Sequence, residues 1–81
     1  MYESYVTINP VFTEDLDKLK EITERHKFEW FESELSEGNM YALSFMQGHD
    51  SKGVLETITR VFITELKMKK FNIWEEEIKR V

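Results

Sequence analysis

Between Ser51 and Lys70 the apolar residues Val54, Leu55, Ile58, Val61, Phe62 and Leu66 return at intervals of three, four and seven. A helix brings such positions to one side, so this segment has to lay an apolar stripe against other parts of the chain. Asp50 or Ser51 is placed to cap it, and Lys67, Lys69 and Lys70 put positive charge where the C-terminal end of a helix dipole favours it. The chain has 81 residues and no cysteine. It therefore has room for one core and no disulfide to brace it, which commits most apolar residues to a single domain spanning 1–81.

The remaining segments supply the partners. Tyr5 to Ile8, YVTI, is β-branched and aromatic and reads as a strand, which Asn9-Pro10 is expected to end. Thr13 is placed to cap a helix of about 14 residues with Glu14, Asp15 and Asp17 at its start and Arg25, His26 and Lys27 at its end. Leu16, Leu19, Ile22 and His26 form its buried stripe. Two extended runs follow, FEWFESEL and MYALSFMQ, joined by turn residues Ser36 to Asn39 as a hairpin. FNIWEEEIKRV closes the chain as a last strand.

The order βαββαβ in one small domain predicts an α+β, ferredoxin-like fold, a four-stranded antiparallel sheet with both helices on one face and strand order 4-1-3-2. Charge agrees with that order. The two inner strands, YVTI and MYALSFMQ, hold no ionised residue, whereas the outer two carry Glu29, Glu32 and Glu34 on one edge and Glu75, Glu76 and Glu77 on the other. Glutamates on open edges discourage pairing with other chains.

The stretch FEWFESELSEG, Phe28 to Gly38, adds three aromatics to four glutamates without a base. Alternation puts Phe28 and Trp30 on one face and Phe31 with Leu35 on the other, so one aromatic set points away from the helices unless a bulge re-phases the strand. On the neighbouring strand Tyr41, Leu43 and Phe45 are expected to meet the helices and Ala42, Ser44 and Met46 to line the open face. A flat, partly apolar face of this kind suits a partner protein or a second copy, so a homodimer is expected.

Net charge is −5, and residues 1–40 hold ten acids against four bases. Such a field repels nucleic acid and attracts basic surfaces, although charge of this size also serves plain solubility. Tyr41-Ala42-Leu43 lacks the leading base of an RNA-binding aromatic strand, so nucleic acid is not an expected partner. The opening MYESYVTINP shows no basic then apolar leader, and no apolar run approaches membrane-spanning length. A cytoplasmic protein that does not cross a membrane is the expectation.

Candidate chemistry is sparse. GHDSKG, containing His49, Asp50, Ser51, Lys52 and Gly53, precedes the second helix, whose free N–H groups suit a phosphate or carboxylate. It lacks the spacing of a P-loop, and Asp50 is worth more as a cap than as a base. His26 falls on an apolar stripe near a helix end, the ordinary place for a packed or dipole-paired histidine. Two separated histidines without cysteine point to no metal, and no cofactor or activated nucleophile is expected.

YESYVTINPVF (Tyr2 to Phe12), FMQGHDSKG (Phe45 to Gly53) and LKMKKFNIWEEEI (Leu66 to Ile78) resemble a group of small uncharacterised proteins of phages and bacterial genomes. That group tends to carry a histidine and an acid where this chain has Tyr5 and Asn9, and bases where it has Glu75 and Glu77. The resemblance implies a phage-like context and brings no activity. Together these features predict a non-enzymatic acidic binding protein, in that context an inhibitor of a host or defence protein. Its expected contacts with a basic partner are Glu29, Trp30, Phe31, Glu32, Glu34, Trp74, Glu75 and Glu77. The alternative is a protein that sequesters a nucleotide-like anion at His49 to Gly53.

Overall fold

The computed structural model describes the backbone of residues 1–37 and 40–81 and the side chains of 1–31 and 40–81. Its elements run β1 (Tyr2–Phe12), a 3-10 turn (Thr13–Asp15), α1 (Leu16–His26), β2 (Glu29–Glu37), β3 (Met40–His49), α2 (Lys52–Met68) and β4 (Ile73–Arg80). The four strands form one antiparallel sheet in the order β2-β3-β1-β4, which is the expected 4-1-3-2 counted from the other edge. Both helices bury side chains on the same side of it. Leu19 and Ile22 of α1 and Phe62, Ile63 and Leu66 of α2 share one core cluster with Val6, Ile8, Leu43 and Phe45 of the inner strands. The layout is α+β and compatible with the ferredoxin-like arrangement. Of the expected hairpin turn, Gly38 and Asn39 lie outside the described residues.

Phe62 is the hub of that core. Its ring stacks on Phe28 at 4.0 Å, meets the edge of Phe45 at 5.9 Å and leans on His26 at 5.6 Å. The α2 stripe differs in one respect from the sequence pattern, because Val54 and Val61 are exposed and the buried residues are Leu55, Thr59, Phe62, Ile63 and Leu66. Val54 and Val61, seven apart, lie one residue step, about 100°, around the helix from Leu55 and Phe62, and the sheet covers only the second line. Thr59 joins the buried side by donating its hydroxyl to Ser4 at 2.7 Å.

Pro10 does not end β1. The pairing of β1 with β3 skips Asn9 and Pro10 and resumes at Val11 opposite Tyr41, and Val11 is fully buried. A bulge is where a strand tolerates a residue without an N–H, and Asn9 meanwhile exchanges hydrogen bonds with Asn72. Nor does Thr13 cap α1. It opens the 3-10 turn, and Asp15 reaches back so that the Phe12 N–H donates to its carboxylate at 3.3 Å. At the other end Lys27 takes the left-handed conformation at φ 64°, and Gln47 of β3 donates to the carbonyls of His26 and Lys27. Ser51, rather than Asp50, caps α2 by accepting from the Val54 N–H.

Glu65 on α2 ties the two helices together. It receives the Arg25 guanidinium, and His26 Nε2 donates to its Oε1 at 2.6 Å. The His26 hydrogen bond, joined by the positive charges of Arg25, His26 and Lys69, holds the Glu65 carboxyl below its ordinary 4.5 against an opposing effect of burial. A carboxylate lowered in the fold stabilises it above that ordinary value, and the contribution is lost as pH falls through the folded value. Glu65→Gln is expected to cost about 1 kcal/mol at neutral pH, less than a fully buried charge-assisted hydrogen bond because the group is partly exposed, and to flatten the acid side of the stability curve. Urea unfolding from neutral pH to below 4 checks both, with the unchanged curve of the variant as the contrary result.

Candidate functional site

The strand alternation that buries Ser4, Val6 and Ile8 turns Glu3, Tyr5 and Thr7 to the other side of the sheet. Register then assembles that open face. Tyr5 sits opposite Met46 on β3 and Glu77 on β4, Thr7 opposite Ser44 and Glu75, and Glu3 opposite Lys79. Glu29 of β2 lies opposite Met46; Glu32 and Glu34 are in backbone register with Ser44 and Ala42, and their side chains lie outside the described residues. Acids from both sheet edges therefore share one face.

Its centre is aromatic. Phe31 is the extra residue of a bulge in β2 between Trp30 and Glu32, and its ring meets Tyr5 edge to face at 5.1 Å. To reach β1 it has to pass over β3, where the residues on this side are small or flexible: Ala42, Ser44 and Met46. Ser44 and Thr7 lie flush, their hydroxyls bonded at 2.8 Å. Tyr5 donates its phenol proton to Glu3 at 2.6 Å. That bond comes first in raising the Tyr5 pKa above its ordinary 10.0, followed by burial and the negative charges of Glu3 and Glu77, so the phenol is a neutral donor at physiological pH. Lys79 completes the group, its Nζ lying 5.0 Å above the Tyr5 ring and 3.8 Å from Glu77.

Beyond the bulge Leu35 is in register with Tyr41, and its side chain lies outside the described residues. Trp30 goes to the helix side, where its indole N–H donates to Thr23 at 3.0 Å and its ring meets the edge of Phe45. Trp74 is the corresponding extra residue in β4, between Ile73 and Glu75, and is 61 % exposed. The structure thus places Glu29, Phe31, Glu75 and Glu77 on one face of the sheet and Trp30 on the other. Tyr5, Glu3 and Lys79 escaped the sequence reading as site residues. Alternation in YESYVTI was enough to place Glu3 and Tyr5 on one face, whereas Lys79 reaches them only through strand pairing.

The loop of the alternative reading uses its own donors. His49 Nδ1 accepts from the Ser51 N–H at 2.9 Å and Ser51 Oγ from the Val54 N–H at 3.3 Å, so two groups that would hold an anion are engaged. A Cβ at Gly53 would meet nothing within 4 Å, so no neighbouring atom demands glycine there. Among the described residues no group of three or more histidine or acidic side chains is placed to hold a metal, and no helix is long and apolar enough to cross a membrane. Concavities lie on the helix side, as in the groove of about 410 Å³ between α2 and β4 that Arg60, Ile63, Lys67, Glu76 and Ile78 help to line. The flat acidic face suits a protein surface better than a small molecule. Compared with known proteins, the chain matches no family model, no curated protein and no solved structure.

Proposed function

We propose that this chain is a ferredoxin-like, non-enzymatic binding module that docks a basic protein surface on its open sheet face. The observation that carries the reading is that Glu29, from one edge, and Glu75 and Glu77, from the other, share one sheet face with the exposed Phe31 and the Tyr5 ring. An apolar, aromatic centre inside a charged rim is the usual anatomy of a protein interface, and the sign of the rim selects a positive partner. The phage-like resemblance supports an inhibitor of a host or defence protein, acting in the cytoplasm, as the biological role.

A second copy competes for the same face, since Ala42 and Ser44 permit close approach. Stacking two sheets would oppose like-charged glutamates, so a sheet-on-sheet homodimer is favoured by high salt and a basic partner by low salt. Calorimetric titration with octa-lysine at low ionic strength tests the assignment. Wild type is expected to bind, Glu75→Lys with Glu77→Lys to weaken binding at least about tenfold, and Glu21→Lys with Glu24→Lys on exposed α1 to weaken it much less. Equal losses in the two pairs would mean that only net charge matters and would remove the open face as the site.

A further inference from the structure

Resting on the reading of the open face as a basic-partner surface, the geometry points to one defined seat within it. We propose that the face of the Tyr5 ring, beside Phe31 and between Glu3 and Glu77, receives a single arginine or lysine side chain of the partner, and that Lys79 occupies this seat in the free protein. The acids alone do not carry this. The independent observation is that the fold already places an ammonium there, 5.0 Å above the Tyr5 ring and 3.8 Å from Glu77. An aromatic face attracts a cation through its quadrupole, and the adjoining carboxylate adds charge.

Lys79 is held weakly enough to be exchanged. It and Glu77 are both more than half exposed, and exposed ion pairs and cation–π contacts of this kind are among the weaker interactions in proteins. The ring itself is fixed. Tyr5 is partly buried, hydrogen-bonded to Glu3 at 2.6 Å and propped by the Phe31 ring at 5.1 Å. An incoming guanidinium is the better occupant, because its plane stacks on an aromatic face while its N–H edge reaches carboxylates, which an ammonium does less completely.

The test is titration with octa-arginine at low ionic strength across matched variants. Lys79→Met vacates the seat and is expected to bind about three- to tenfold tighter than wild type, while Arg80→Met, which removes the same charge from the helix-side register, gains less than about twofold. Tyr5→Phe keeps the ring and is expected to stay within about twofold, and Tyr5→Leu to weaken binding about five- to tenfold. If Tyr5→Leu fails to fold by circular dichroism, the Lys79→Met and Arg80→Met pair decides. Octa-arginine binding that depends on Glu29 and Glu75 but treats Lys79→Met like Arg80→Met would overturn the seat and leave the docking face standing. Absence of binding to wild type would overturn both.

Discussion

Replacing Phe62 with alanine is expected to cost about 3–5 kcal/mol, the range for deleting a large aromatic from a packed core. A chain of this length has about 4–12 kcal/mol in total at the usual stability per residue, so the variant stands near the edge of folding. Burial alone does not single Phe62 out, since Phe45 is equally inaccessible. Its position does. It is the residue through which α2 meets Phe28 just before β2, Phe45 on the inner strand and His26 at the end of α1, so truncation opens a cavity bordered by three separate parts of the chain that cannot all close on it. Val61, its neighbour in sequence, is 52 % exposed, and Val61→Ala is expected to change stability by less than about 0.5 kcal/mol. Urea unfolding of the two variants checks the orientation of α2, and similar losses in both would mean that the helix presents a different face.

The second large effect concerns association. If Glu29, Glu32 and Glu34 serve only to keep an edge strand from pairing, reversing two of them to lysine leaves partner binding unchanged, because charge of either sign blocks edge pairing. If they steer a basic partner, Glu29→Lys with Glu34→Lys slows association by roughly one to two orders of magnitude at low salt and far less at high salt. The second result is expected. Glu29 lies on the open face in register with Met46, Glu34 is in backbone register with Ala42, and β4 adds Glu75 and Glu77 from the far edge. Stopped-flow association at two ionic strengths, with octa-lysine as the probe, distinguishes the two. A rate that ignores the double reversal in a folded protein would reduce the acidic stretch to a protected edge.

Much of this was legible in the chain because hydrophobic period and charge agreed with each other. The uncharged YVTI and MYALSFMQ had to be inner strands, and once they were, the glutamates of the other two strands had to lie at the edges. Ala42, Ser44 and Met46 could be assigned to the open face by alternation alone. The misses share a cause, which is that local pattern does not say where a strand bulges or which side of a helix is covered. Pro10 reads as a stop, yet the strand absorbs it by skipping two residues and returning Val11 to the core. Alternation in FEWFESEL allows for a bulge without locating it, and pairing with β3 puts it at Phe31. On α2 two apolar lines run side by side, and only tertiary packing decides that Leu55 and Phe62 go inside while Val54 and Val61 stay out. The Tyr5, Phe31 and Lys79 group was hidden for the same reason, since it draws on three strands far apart in sequence.

The central claim is that a basic partner meets the sheet face and not the helices. Residue-resolved chemical-shift mapping of the protein during titration with octa-arginine tests it most directly. Shifts are expected to concentrate at Glu3, Tyr5, Thr7, Glu29, Phe31, Ser44, Glu75, Glu77 and Lys79, to leave Lys18, Glu21 and Thr57 on the helices unmoved, and to fade with added salt. Shifts concentrated on α1 and α2, or spread evenly over the surface, would contradict the account.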